Sequence, residues 1–115
     1  MNLVVLEYVR ENGANPFKKW FDDLPLDAAA KISSARARLE MGNISSLKWI
    51  GTIGEYRIDW GPGYRIYLGK DGTDIVILLG GGTKQRQRAD IEQAKEFWSE
   101  YKARKARLAR SAKGN

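Results

Sequence analysis

The stretch EYRIDWGPGYRIYL, residues 55–68, decides the fold of this chain. Apolar and polar residues alternate on both sides of Gly61-Pro62-Gly63, and a period of two is typical of strands that are buried on one face. Glycine and proline between two such runs indicate a turn. The stretch therefore predicts a β-hairpin with a three-residue loop, in which Asp59 faces Arg65. A cross-strand ion pair between the two is one interpretation of Arg65, and a phosphate-binding role is the other.

The alternation also assigns the side chains of the hairpin to two faces of the predicted sheet. Ile58 and Ile66 lie on an apolar and aromatic face, which we expect to pack against helices. The opposite face is charged, and we expect it to be exposed to solvent. Its residues are Glu55, Arg57, Asp59, Arg65 and Tyr67.

The chain after the hairpin predicts one more strand and one more helix. Asp71-Gly72 is a strong turn signal, and residues 74–79 (DIVILL) follow as a third strand that is apolar enough to be central. Residues 80–88 (GGGTKQRQR) predict a glycine-rich and then cationic loop. A final helix with apolar residues at helical spacing starts near Ala89.

The chain before the hairpin predicts a strand and two helices. Residues 2–9 (NLVVLEYV) are β-branched and apolar, as in a strand. Asn15-Pro16 predicts an N-cap and the first position of a helix that runs to Leu24, where Pro25 breaks it. Residues 26–41 predict a second helix, and two helices joined so tightly should pack as an antiparallel hairpin.

Together these elements predict one α+β domain. In it, an antiparallel sheet made of the N-terminal strand and a three-stranded meander packs on the N-terminal helical hairpin, and a C-terminal helix follows. We assign residues 1–101 to this domain. Residues 102–115 form a basic C-terminal tail that we expect to fray.

The composition of the 115 residues limits the chemistry available to the protein. There is no cysteine and no histidine, which excludes disulfides, thiolate zinc sites and the commonest general base at neutral pH. The 20 Lys and Arg exceed the 14 Asp and Glu, so the net charge is +6, which favours a polyanionic partner such as nucleic acid. The other interpretation is a domain that is basic without such a partner. We expect no membrane span and no signal peptide, and therefore a cytoplasmic location.

Five cations are candidates for a phosphate-binding surface. Arg57 and Arg65 lie on the charged face, and Lys84, Arg86 and Arg88 lie in the loop that follows the last strand. Tyr67 beside them supplies an aromatic ring for stacking on a base. The alternative is that these charges only solvate one face of the sheet. The carboxylates on the helices, Asp90 among them, are interpreted as solvating charges and caps.

Three segments together resemble one family. Residues 55–67 (EYRIDWGPGYRIY), 77–84 (ILLGGGTK) and 90–95 (DIEQAK) are similar to the addiction-module killer group, the phage-derived, HigB-like branch of the RelE/ParE toxin superfamily. The resemblance covers roughly residues 2–101 and implies a RelE-like fold. It also implies a type II toxin that a helix-turn-helix (HigA-like) antitoxin holds inactive. Such toxins cut mRNA in the ribosomal A site by attack of the 2′-hydroxyl on the adjacent phosphodiester, without a metal or another cofactor.

The resemblance also implies roles for individual residues. Arg65 matches the arginine of the Gly-Tyr-Arg element, the phosphate clamp, and Arg57 matches a basic residue on the preceding strand. Lys84 matches the lysine after the last strand. The RNA-binding candidates beside these three are Lys48, Arg86 and Arg88.

Two departures from RelE leave the general base open. Asp59 lies where RelE has a second lysine, and Ile91 falls where RelE has its C-terminal tyrosine. Tyr67 and a basic residue of the 84–88 loop are the two candidates for the base. Two other functions remain open on the same scaffold, a ParE-like toxin that inhibits gyrase and a non-catalytic RNA-binding module.

Overall fold

The computed structural model describes residues 2–113 as a five-stranded mixed sheet between two helical layers. The elements are β1 (Val4–Glu7), α1 (Pro16–Asp22), α2 (Leu26–Glu40), β2 (Leu47–Ile50), β3 (Ile53–Ile58), β4 (Tyr64–Asp71), β5 (Ile75–Thr83), a 3₁₀ turn (Lys84–Arg86) and α3 (Gln87–Lys113). The strand order is β1-β5-β4-β3-β2, with β1 parallel to β5 and all other neighbours antiparallel.

The predicted α+β class, with a terminal helix, is confirmed. The prediction of an antiparallel sheet of four strands is wrong, because β2 adds a fifth strand and β1 runs parallel to β5. The long connection through the two helices and the first three strands of the meander allows this parallel pairing.

The helical hairpin covers one face of the sheet. Ile32 and Leu39 of α2 are fully buried against Tyr56 and Ile66 of the sheet, which belong to the face that the alternation predicted to be apolar. Helix α1 begins as predicted, because the Asn15 side chain accepts a hydrogen bond from the Lys18 amide at 3.0 Å.

Helix α3 covers the other face. Phe97 and Trp98 of α3 pack with Ile53 and Tyr67, so the sheet has a core on each side. The charged face that the sequence predicted to be exposed is therefore largely covered by a helix. Among residues 2–113, no helix has the length and the apolar character that are needed to cross a membrane.

The register of the central hairpin differs from the prediction. Ile58 pairs with Tyr64 and Arg57 with Arg65, so the loop spans the five residues 59–63. Asp59 lies beyond the strand, and the predicted Asp59–Arg65 pair is wrong. The difference between the two registers is two residues. Each side chain therefore stays on its predicted face.

Strand β5 is longer than predicted, because it continues through the glycines to Thr83. A Cβ on Gly81 would lie 2.3 Å from the Trp20 ring of α1, and one on Gly82 would lie 1.9 Å from a carboxylate oxygen of Asp90 in α3. Glycine is needed here because side chains from both helical layers rest directly on the strand. Residues 80–83, predicted as loop, are strand for this reason.

Helix α3 is also longer than predicted, since it continues without a break from Gln87 to Lys113. The tail that was expected to fray is helical up to that residue. Alanines, which have the highest helix propensity, recur through it, and its cations complement the negative end of the helix dipole.

Candidate functional site

The centre of the charged face is a buried carboxylate. Glu55 has no exposed surface, and its oxygens accept hydrogen bonds from Arg57 Nε at 3.0 Å, Gln87 Nε2 at 2.8 Å and the Tyr67 hydroxyl at 3.3 Å. Arg65 Nε lies 3.5 Å from Glu55 Oε2. We call these five residues the Glu55 cluster. Two cations and two neutral donors surround the carboxylate, which is what an ionised group needs when it is buried.

The sheet register brings the cluster together. Glu55 faces Tyr67, and Arg57 faces Arg65, at alternate positions of the β3–β4 ladder, so both pairs point to the same side of the sheet. Directly opposed residues in neighbouring strands share a face and lie close together. The first turn of α3 then sets Gln87 over the same face. The prediction that these strand residues share one face is confirmed, whereas Gln87 was not among the predicted site residues.

Arg65 is buried, and the prediction that it is exposed is wrong. Only 8 % of its side chain is accessible, because α3 and the turn before it cover this end of the sheet. Its Nη1 donates to the Gly63 carbonyl at 2.8 Å, and the amide of Lys84 donates to the same oxygen at 3.0 Å. Arg65 thus connects Glu55 to the Gly-Pro-Gly loop and to the residue that begins the cationic turn.

The exposed cations surround the cluster. The Arg57 side chain is 43 % exposed, and the hydrogen bond from its Nε to Glu55 fixes its direction. Lys48 is exposed and faces Glu55 across the β2–β3 pair. Lys84 is exposed at the start of the 3₁₀ turn, beside Gly63.

Within residues 2–113, the last two predicted cations, Arg86 and Arg88, form no ion pair with Glu55. Arg86 is exposed and lies near Asp90, where burial raises the pKa of the carboxyl and the charge of Arg86 opposes this increase in part. Arg88 is exposed in the first turn of α3, one residue after Gln87. Successive helical residues point about 100° apart, so Arg88 does not share the helix face that Gln87 directs to the sheet.

Tyr67 is unsuited to act as a base. Burial raises its pKa, and the negative charge of Glu55 raises that pKa further. The hydroxyl is therefore protonated at neutral pH and donates its hydrogen bond to Glu55. The structure therefore argues against Tyr67 as the base, and the other candidate, a basic residue of the 84–88 loop, stays a prediction.

Asp90 is a second partly buried carboxylate, and the interpretation of it as a solvating charge is wrong. It lies over Gly82, and burial raises its pKa, while Arg86 acts in the opposite direction. Its charge also contributes to the raised pKa of Tyr67, so the two side chains belong to one site. The available sequence signal was Gly82, since a glycine within a strand indicates that another group approaches the backbone closely. It does not indicate that this group is the side chain of Asp90.

We expect Asp90→Asn to stabilise the protein at neutral pH. The pKa of Asp90 is higher in the native state than in the unfolded chain, so the native state is penalised wherever the carboxylate is ionised. The penalty is complete above the raised pKa and disappears below about pH 4, the pKa range of an unperturbed aspartate. Urea midpoints at pH 7 and pH 3.5 should therefore show a gain for the variant at pH 7 only. Asp59→Asn, at an exposed position, is the matched control, and an equal gain there would contradict the assignment.

Comparison with known proteins identifies a relative of this chain but no family model. No protein-family model matches the chain. A Haemophilus influenzae protein described as uncharacterized is 46 % identical over 81 residues, which are 69 % of this chain and 82 % of the relative. The chain belongs to the family of that protein. The description of the relative names no activity, so membership of this family adds none to the geometry of the site.

Proposed function

We propose that the protein is the toxin of a type II toxin–antitoxin system and acts as a ribosome-dependent mRNA endonuclease with a RelE-like fold. The observation that carries the proposal is the group of exposed cations, Arg57, Lys84 and Lys48, around a buried carboxylate. The element order, which is a strand, two helices, a meander and a terminal helix, agrees with the order that the resemblance implies. A helix-turn-helix antitoxin is the proposed partner.

The proposed reaction is attack of an RNA 2′-hydroxyl on the adjacent phosphodiester. The phosphorus–O5′ bond breaks as the new phosphorus–O2′ bond forms, and negative charge develops on the non-bridging oxygens. The products are a 2′,3′-cyclic phosphate and a 5′-hydroxyl, whose oxygen takes up a proton from water as it leaves. Arg57 and Lys84 would stabilise this charge. Arg57 is already fixed by Glu55, so little reorganisation is needed during the reaction. We propose Asp90 as the group that accepts the proton of the 2′-hydroxyl, because its raised pKa makes it a better base than an exposed aspartate.

The test is primer extension on a defined mRNA, with and without ribosomes. We expect wild-type protein to cut only when ribosomes are present. Lys84→Ala should lower the cleavage rate about 100-fold, the scale expected when one charge-stabilising group is removed, and Arg57→Ala should act similarly. Both side chains have substantial exposure, so the two variants should remain folded by circular dichroism.

Arg38→Ala is the matched control, since it removes one exposed cation from α2 on the opposite side of the sheet. It should cut at the wild-type rate. Cleavage that survives in both Lys84→Ala and Arg57→Ala would contradict the proposed site. Absence of cleavage by wild-type protein would contradict the nuclease. If supercoiling by gyrase were then inhibited, the ParE-like alternative would take its place.

A further inference from the structure

The second half of α3 carries the whole net charge of the protein. Residues 102–113, which we call the arm, contain six of the 20 Lys and Arg and none of the 14 Asp and Glu. The rest of the chain therefore has 14 cations and 14 carboxylates. The arm is helical throughout, and all its side chains except that of Arg104 belong to exposed residues. A neutral body with one strongly cationic projection is the feature that the proposed nuclease site does not explain.

The base of the arm is fixed to the body. Lys105 pairs with Asp71 at the β4–β5 turn, and Arg107 pairs with Glu11. Arg104 donates to the carbonyl of Val9. These contacts define one side of the arm as the side that faces the body.

The outward side presents cations and small residues. At 100° per residue, Lys102, Arg110 and Lys113 fall within about 80° of one another, away from the three anchoring side chains. Lys102 lies at the edge of this surface, where its Nζ is 5.7 Å from the centre of the Trp98 ring. The small residues on that surface are Ala106 and Ala109, which leave room for close approach. Lys102 and Lys113 are separated by about 17 Å along the helix axis, because each residue rises 1.5 Å.

This surface does not fit a membrane. A helix that lies in the lipid interface needs a continuous apolar face, and Leu108 is the one large apolar side chain in the arm. Arg110 and Lys113 lie three residues apart on the helix, and two cations at this spacing repel one another when no anion lies between them. A row of phosphates would neutralise these cations, and the small residues beside them would let the phosphate backbone come close to the helix.

We propose that the arm binds the phosphate backbone of folded RNA, with Lys102, Arg110 and Lys113 as the contacting residues. The shared chemistry is that of any nucleic-acid backbone, and the choice of RNA rests on the proposed function. The arm would hold the RNA while the surface around the Glu55 cluster acts on it. It lies at the opposite end of α3 from Gln87, so the two surfaces contact different parts of the RNA.

The test is binding of a fluorescein-labelled 20-base-pair RNA hairpin, measured by anisotropy between 50 and 300 mM KCl. The full chain is compared with the triple variant Lys102→Gln, Arg110→Gln, Lys113→Gln, in which glutamine keeps helix propensity and removes charge. The matched control is Lys19→Gln, Lys31→Gln, Arg38→Gln, which removes three exposed cations from the α1 and α2 layer. Circular dichroism verifies the folding of all three proteins.

We expect the arm variant to bind the RNA hairpin at least 10-fold more weakly at 100 mM KCl. The slope of log K against log salt should lose about 2 to 3 units, since each phosphate contact contributes somewhat less than one. The control should lose less than one unit. Equal losses in both variants would overturn the proposal, because total charge alone would then explain binding. An arm-dependent loss seen only with a DNA hairpin of the same sequence would overturn the choice of RNA.

The outcome is separate from that of the cleavage test. If the arm variant loses RNA binding while wild-type protein never cuts mRNA, the arm proposal is supported and the nuclease is not. If Lys84→Ala stops cleavage while the arm variant binds as wild type does, the nuclease is supported and the arm proposal is overturned.

Discussion

Glu55→Gln should lower the free energy of unfolding by about 3 to 5 kcal/mol, the cost expected when one partner of a buried ion pair is removed. Glu55 is the fully buried anion between Arg57 and Arg65. Arg57 can turn to solvent when the carboxylate is lost, because nearly half of its side chain is exposed. Arg65 cannot, and its guanidinium would remain buried without a counter-charge.

Urea unfolding at pH 7 measures this loss. Glu92→Gln is the matched control, since it makes the same chemical change on a side chain that is 72 % exposed. The control should change stability by less than about 0.5 kcal/mol. A loss below about 1 kcal/mol for Glu55→Gln would mean that the carboxylate does not hold the two arginines together.

The same reasoning changes the interpretation of Arg65→Ala. Treated as an exposed phosphate clamp, Arg65 should be removable without damage to the fold. In the structure its side chain is 8 % exposed, hydrogen-bonds to the Gly63 carbonyl and forms an ion pair with Glu55, so Arg65→Ala removes structural contacts together with any catalytic one. A double-mutant cycle with Glu55→Gln should show coupling of 1 kcal/mol or more. For this reason Lys84 and Arg57 are the better positions for testing catalysis.

The alternation of the hairpin was sufficient to predict both faces of the sheet. Ile58 and Ile66 are in the core under the helical hairpin, and Glu55 and Tyr67 are on the other side. The two faces were predicted correctly although the loop length was wrong, because the observed register differs from the predicted register by two residues, an even number. An odd shift would have reversed every side chain.

Contacts between distant segments explain most of what the sequence did not predict. The glycines of β5 have low strand propensity, and their place in the sheet depends on Trp20 and Asp90, which rest on them from two different helices. The burial of Arg65 depends in the same way on α3, which the sequence predicted without saying which face it covers. The cations of the site could be identified from the sequence by residue type alone. The burial of the carboxylates Glu55 and Asp90 among them could not, because it depends on how α3 packs on the sheet.

Gly69→Ala should lower the free energy of unfolding by about 2 to 3 kcal/mol, because it disturbs the packing of α3 on the sheet. A Cβ on Gly69 would lie 2.4 Å from the ring of Trp98, which is only 6 % exposed and stacks on Tyr101. A buried and stacked ring cannot turn aside, so α3 must shift. Gln87 and Asp90 are on the same helix, and the shift should therefore also disturb their contacts with the site.

Gly54→Ala is the matched comparison, since it makes the same change in a strand of the same sheet. There the new Cβ would meet Leu47 Cδ1 at 2.8 Å and Leu68 Cδ1 at 2.9 Å, the ends of flexible side chains, and we expect a loss of about 1 kcal/mol or less. In a Trp98→Leu background the ring is absent, so Gly69→Ala should become at least about 1 kcal/mol less costly. Urea unfolding of the four proteins of this cycle gives the coupling directly. If Gly69→Ala were equally costly in both backgrounds, the loss would come from the strand itself, and the position of α3 over the Glu55 cluster would not depend on this contact.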